Sequence, residues 1–337
     1  MTGRLLKLAL SIGILAALLW WADAATVWAR LRAVDPVWVS TAIAAVTLAT
    51  LLMARRWQIV ARACAIEISY PKAVGEYYIA QLGNSVLPGG VAGDAARAVR
   101  LRPYATLTQA VKSIVVERLL GQVAILAIMA ASFAVALTLP GGLAWPVWAW
   151  FGVIGLVGAA LCAVWLARRG AATGRLAAFV LRLCGRPELV LQGVLITACL
   201  LLGFYACARA TGTVIPPAAW TTLIPLILCA MLIPFSIGGW GWREGAAAGL
   251  FPLIGASADA GIATGLVYGS VLLIAALPAG LFVLGQFMIA GKNHQGIHNE
   301  HDTTHPSDPP FLSSDNSIGL RSRRGGPAGA CRQSATR

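Results

Sequence analysis

Six charged side chains stand beside glycines or inside apolar runs of this chain: Asp94 and Arg97, Glu117 and Arg118, Arg243 and Glu244. A charge at membrane depth costs about 2.5–3.5 kcal/mol by insertion scales, so such groups pair or line a wet path. Guanidinium groups are planar donor forks that match phosphate oxygens. Arg97, Arg118 and Arg243 are therefore expected to face one polar cavity and hold an anionic head group. Asp94 and Arg97 are three residues apart, close enough to meet on one helical turn. Arg55 and Arg56, by contrast, end an apolar run and read as positive anchors at a membrane surface.

Two proline- and glycine-broken stretches position these charges. One is NSVLPGGVAGDAAR, residues 84–97; the other is MLIPFSIGGWGWREG, residues 231–245. In lipid, an unpaired backbone amide or carbonyl costs several kcal/mol, so broken backbone survives there only against protein or a wet cavity. Gly89, Gly90, Gly93, Gly238, Gly239 and Gly241 would let backbone amides approach a head group. A helix starting after each break would present its positive end. Gln81, Asn84 and Ser85 supply neutral hydrogen bonds, either to a ligand or to the backbone that Pro88 frees.

The two stretches also recur in order. Pro71 to Pro88 and Pro217 to Pro234 are each 17 residues apart, each interval is apolar, and each precedes a glycine motif and then a long apolar segment. A duplicated unit of helix, break and helix follows, and paired broken segments mark the substrate site of many transporters.

Composition sets the class. The chain has 337 residues, 58% of them hydrophobic and only 12% charged, against about a quarter charged in soluble domains. The expectation is an all-α, polytopic helical membrane protein with seven or eight transmembrane helices. The candidates are residues 5–22, 37–54, 114–139, 145–167, 189–208, 218–234 and 262–290, with 73–92 and 245–257 ambiguous. The first is read as a retained signal anchor. Tryptophans near the span ends, Trp57 among them, read as an interfacial belt. Residues 173–186 read as a short amphipathic helix on the membrane surface.

The net charge of +13 does not imply nucleic acid. Fifteen Lys and Arg fall in the loops of one side and three in the alternate loops, which places the N-terminus and the basic loops in the cytoplasm. Beyond about residue 291 the composition turns polar, so residues 1–291 read as a membrane domain and 292–337 as a disordered basic tail. The tail holds all four histidines, His294, His298, His301 and His305, without a scaffold for a metal site. No CxxC, P-loop, HExxH or hydrolase elbow is present, so no metal, no cofactor and no catalytic residue is expected.

The segment RRWQIVARACAIEISYPKAVGEYYIAQLGNSVLPGGVAGDAARAVRL, then VVERLLGQ, then IPFSIGGWGWREG resemble a flippase-like integral membrane family, that of the transmembrane region of lysylphosphatidylglycerol synthase. The likeness covers most of residues 1–290. It implies movement of a polar lipid across a bacterial inner membrane, with membrane lipids as partners. Asn84, Pro88, Gly89, Gly90, Gly93, Asp94 and Arg97 match the family pattern. So do Glu117, Arg118, Gly239, Gly241, Arg243 and Glu244. In full-length synthases a cytosolic aminoacyl-transferase domain follows the membrane region. The chain has no room for one after residue 290, so it is expected not to be an enzyme. Short relatives occur with hopanoid gene sets, which makes a hopanoid or other glycolipid a plausible cargo beside an anionic lipid. Two alternatives stay open: a membrane-embedded lipid-modifying transferase using Asp94 or Glu117 as base, and a scaffold that docks such an enzyme.

Overall fold

The computed structural model describes residues 2–87, 90–138, 172–231 and 238–282, together with residues 154, 155, 158, 162 and 165. Met1–Met288 form one compact unit. The expected tail and its histidines lie outside the described residues, as do Pro88, Gly89 and nearly all of the candidate span 145–167.

Every described regular element is helical. The chain begins with α1 (Thr2–Trp21), then turns sharply into α2 (Ala24–Arg32). The Asp23 carboxylate caps α2 by accepting from the Ala25 amide at 3.1 Å. Next come α3 (Pro36–Ala63), α4 (Tyr70–Val86), α5 (Ala92–Arg100) and α6 (Leu107–Thr138). After the undescribed stretch come α7 (Ala172–Cys184), α8 (Pro187–Ala210), α9 (Pro217–Trp220), α10 (Leu223–Ala230) and α11 (Trp242–Leu250). A 3₁₀ turn over Phe251–Ile254 leads to α12 (Ala258–Ala276).

Among the described residues, four helices are long and apolar enough to cross a membrane: Pro36–Ala63, Leu107–Ala136, Pro187–Ala210 and Ala258–Phe282. A fifth is reached only if α1 and α2 count as one span, and they are bent by 101°. The expected seven or eight spans are not found there, and the reasons are local. Within the candidate span 218–234, the described residues to 230 form α9 and α10 instead of one helix. Residues 245–257 are consumed by the nine-residue α11 and the 3₁₀ turn. Of the candidate 73–92, α4 takes in residues 73–86 and stops at Val86.

Proline sets the starts. Pro36, Pro71, Pro187 and Pro217 each lie at the first helical turn of α3, α4, α8 and α9. There the missing amide is no loss and the fixed φ suits a helix. The sequence of elements is thus repeated: a long helix opened by proline, a second proline-opened segment, a glycine break, a nine-residue helix, and a second long helix.

The two units run in opposite directions. The Asp35 amide at the start of α3 donates to the Ala210 carbonyl at the end of α8, at 3.0 Å. Farther along, Gly203 of α8 faces Val46 and Ala42 of α3. Small residues allow this approach, and in lipid close packing replaces the hydrophobic driving force. Within the first unit, α3 and α6 are antiparallel: Cys64 shares a core cluster with Ala110, and Arg56 pairs with Glu117. Within the second, α8 and α12 are antiparallel, with Thr211 bonded to Thr264 at 3.0 Å and the Phe204 and Tyr268 rings 5.3 Å apart.

Each hairpin therefore leaves and rejoins its own pair of long helices at one end, and the two hairpins enter from opposite ends. They meet in the middle. A β-carbon on Gly238 would lie 2.8 Å from the Ser85 carbonyl oxygen. This is the geometry of an inverted repeat.

Two surface readings change. Trp57 is not an interfacial residue: it is fully buried in the core of the first unit. The amphipathic segment does form a helix, α7, but its apolar face packs on the bundle, with Val180 and Leu183 buried against Ile59, Val60 and Val116. Trp20 and Trp21 stay exposed, as a belt requires.

Candidate functional site

Both breaks line one cavity of about 650 Å³. The first contributes Asn84, Ser85, Gly90, Val91 and Asp94; the second contributes Met231, Gly238 and Gly239. The walls are completed by α3, α6, α8 and α12. Their lining is mostly apolar, with Val46, Ile125, Leu200 and Leu272 among it, and carries Thr50, Gln122 and Thr197 as neutral polar groups.

Asn84 builds the first break. Its Oδ1 accepts from the Gly93 amide at 2.8 Å and the Asp94 amide at 3.3 Å, and its Nδ2 donates to Asp94 Oδ2 at 3.1 Å. The amides at the start of α5, which have no partner within the helix, are thus satisfied from the end of α4 rather than by Val91, which cannot cap. Gly90 turns the chain with φ +65°. Gly83 and Gly93 let α4 and α5 touch: a β-carbon on Gly83 would lie 2.9 Å from the Gly93 α-carbon.

Asp94 joins two arginines. Arg97 Nη2 lies 2.9 Å from Oδ1, and Arg118 Nη2 lies 2.8 Å from Oδ2, with Arg118 Nε donating to Oδ2 at 3.0 Å. The two arginines differ in their surroundings. The Arg118 side chain is 45% exposed, and it lines the cavity. Arg97 is fully buried, with its guanidinium 4.4 Å from the Trp57 ring centre and 4.9 Å from that of Tyr77.

Behind them lies a second pair. Arg56 Nη2 donates to Glu117 Oε1 at 2.7 Å and Nε to the same oxygen at 3.2 Å. Tyr77 reaches that oxygen at 3.4 Å. Glu117 is fully buried, whereas Arg56, 4% exposed, lines the cavity. A β-carbon on Gly121 would lie 2.9 Å from Arg56 Nη2, so this glycine makes room for the guanidinium.

From Gly238 onward the second break is held by its own residues. Gly238, Gly239 and Gly241 all have positive φ, of 56°, 83° and 91°. Gly241 starts α11, and its amide donates to Glu244 Oε2 at 2.6 Å. Glu244 also accepts from Arg243, and both side chains are fully buried. The Arg243 guanidinium lies 4.9 Å from the Trp240 ring centre and 5.8 Å from that of Tyr268. Gly265 and Gly269 of α12 leave the space that this pair fills.

The expected residues therefore divide. Asn84, Gly90, Asp94, Arg118 and Gly239 line the cavity. Gly93 serves the contact of α4 with α5. Arg97, Glu117, Arg243 and Glu244 are buried behind the wall, and Gly241 caps α11. The three arginines Arg97, Arg118 and Arg243 do not share one cavity; only Arg118 of the three lines it. Arg56 is the correction in the other direction. It is no surface anchor but a buried, cavity-lining group, and an arginine seven residues before the end of a 28-residue apolar helix was the available signal. Among the described residues no group of His, Cys, Asp and Glu could hold a metal ion.

The chain matches no curated protein. The family model for the lysylphosphatidylglycerol synthase TM region matches residues 5–280, which take in both breaks and all four long helices. The chain therefore belongs to the lysylphosphatidylglycerol synthase TM region family.

Proposed function

We propose that this protein moves a polar lipid head group across a bacterial inner membrane, acting as a flippase or scramblase and not as an enzyme. The observation that carries this reading is the shared cavity: two broken hairpins, entering from opposite ends, line one space that holds the half-exposed Arg118. Broken helices meeting between inverted units are the arrangement that alternating-access transporters use around a fixed site. The head group would occupy the cavity while acyl chains stay in lipid. Rocking of one unit against the other would expose it to each side in turn. Anionic lipids, glycolipids and hopanoid lipids are the cargo classes, and a lipid-modifying enzyme is a fitting partner. The excess of Lys and Arg in alternate loops supports a cytoplasmic N-terminus.

The test is reconstitution in liposomes with fluorescent head-group lipids. Flip rates above those of empty liposomes, lost in Arg118→Ala, are expected. Rates equal to empty liposomes for every head group would sink the reading. Lipid analysis of a deletion strain separates transport from chemistry. A wrong leaflet distribution with normal lipid content is the expected result; a missing modified lipid would instead indicate a transferase.

A further inference from the structure

Contacts within a unit and contacts between the units are made of different chemistry. In the first unit, Arg97 of α5 is stacked on Trp57 of α3, and Asp94 of α5 is paired with Arg118 of α6. In the second, Arg243 of α11 lies against Tyr268 of α12. A β-carbon on Gly261 of α12 would lie 2.5 Å from the Ala247 carbonyl oxygen of α11. Buried charge and close backbone contact thus fasten each hairpin to its own long helices.

Between the units, the entry helix of each hairpin rests on the last long helix of the other unit through apolar side chains. Helix α4 meets the end of the long span Ala258–Phe282, where the Tyr78 and Phe282 rings stack with centres 5.9 Å apart. Gly75 makes room for that ring: a β-carbon there would lie 3.0 Å from Phe282 Cδ1. Helix α10 meets α6 in the same manner, with Leu226 packed on the buried Met129 and Phe133. The two contacts are counterparts in the inverted repeat, α4 matching α10 and α12 matching α6.

Each contact stands beyond one end of the cavity. Phe282 lies past Leu272, the last residue of α12 to line it, toward the end where α4 enters. Met129 and Phe133 lie past Ile125, the last residue of α6 to line it, toward the end where α10 enters. An apolar constriction bars water and polar groups while it is shut. Parting it strands no buried charge, whereas pulling Arg97 from Asp94 would.

We infer that these two contacts are the gates of the cavity: Tyr78 with Phe282 at one end, Leu226 with Met129 and Phe133 at the other. A tilt of one unit against the other, about the seam of α3 with α8, parts one gate and presses the other shut. The alternation rests on the transport reading; the position of the gates stands on the packing alone.

The test uses Cys229, which lines the cavity, as the sole thiol after the other cysteines are replaced by alanine. A charged, membrane-impermeant thiol reagent is added to one side or the other of sealed vesicles holding the full chain. Phe282→Ala should speed labelling about tenfold from one side of the membrane only, the scale of one lost aromatic pair. Phe133→Ala should speed it from the opposite side only. Phe282→Leu keeps an apolar plug and should label as the parent does. A loosened fold would instead speed labelling from both sides in either variant. That outcome, no change in either variant, or fast labelling of the parent from both sides would overturn the gates. If labelling is side-specific but no lipid moves in liposomes, the transport reading fails and the gates remain. If lipid moves without side-specific labelling, the gates fail and the transport reading remains.

Discussion

Gly238 presses on Ser85: a β-carbon added to the glycine would lie 2.8 Å from the serine carbonyl oxygen and 3.2 Å from its α-carbon. These residues belong to the two glycine breaks, between which the described chain holds two long helices, α6 and α8. Their contact is where the inverted units touch beside the cavity, so changes there report on the joint between them.

Gly238→Ala should disturb this joint twice, through the steric contact and through a φ of +56°. The expected loss is about 1–3 kcal/mol of stability, as for overpacking generally. Gly90→Ala carries only the backbone strain, because at φ +65° its β-carbon meets nothing within 4 Å among the described residues. That should cost about 1–2 kcal/mol. Thermal unfolding in detergent should rank Gly238→Ala as the worse of the two; the opposite order would show that the breaks do not press together.

Arg56 and Glu117 should behave as a coupled pair. Removing either one strands the other in the core, a loss of about 3–5 kcal/mol. Arg56→Met with Glu117→Met should recover most of that loss, because no isolated charge remains. A double-mutant cycle on unfolding free energies measures the coupling. Strict additivity would mean that the pair is not formed.

Arg118 and Arg243 should separate function from stability. Arg118 is half-exposed in the cavity, so Arg118→Ala should shift stability by about 1 kcal/mol or less while abolishing lipid movement. Arg243 is fully buried against Glu244, so Arg243→Ala should cost about 3–5 kcal/mol and lower the yield of folded protein. Paired thermal and flip-rate measurements check this. Equal stability losses would erase the distinction between the two arginines.

Asn84 should act as the cap of α5. Asn84→Ala removes the acceptor for the Gly93 and Asp94 amides and the donor to Asp94. A cost of about 0.5–2 kcal/mol follows from the cap alone. Asn84→Asp keeps the acceptor but places a second carboxylate beside Asp94, so it should rescue less than half of that loss. Hydrogen exchange at the Gly93 amide is the direct readout, and unchanged protection in Asn84→Ala would refute the cap.

The membrane class, the two breaks and their repetition were legible because they are written in local chemistry. Long apolar runs, prolines at helix starts and glycines at positive φ act within a few residues of themselves. Asp94 and Arg97 could be paired from spacing alone, since three residues make one helical turn. The number of long spans was not legible, because hydropathy does not distinguish one helix from the two short ones over 217–230. Nor was the fate of each arginine. Arg56, Arg97, Arg118 and Arg243 have the same chemistry and similar apolar neighbours in sequence. Their environments differ because Glu117, Trp57, Gly121 and Gly269 arrive from other helices. Only the antiparallel docking of α3 on α8 brings the two hairpins in from opposite ends. That docking depends on small residues meeting across a distance in sequence, which no local pattern encodes.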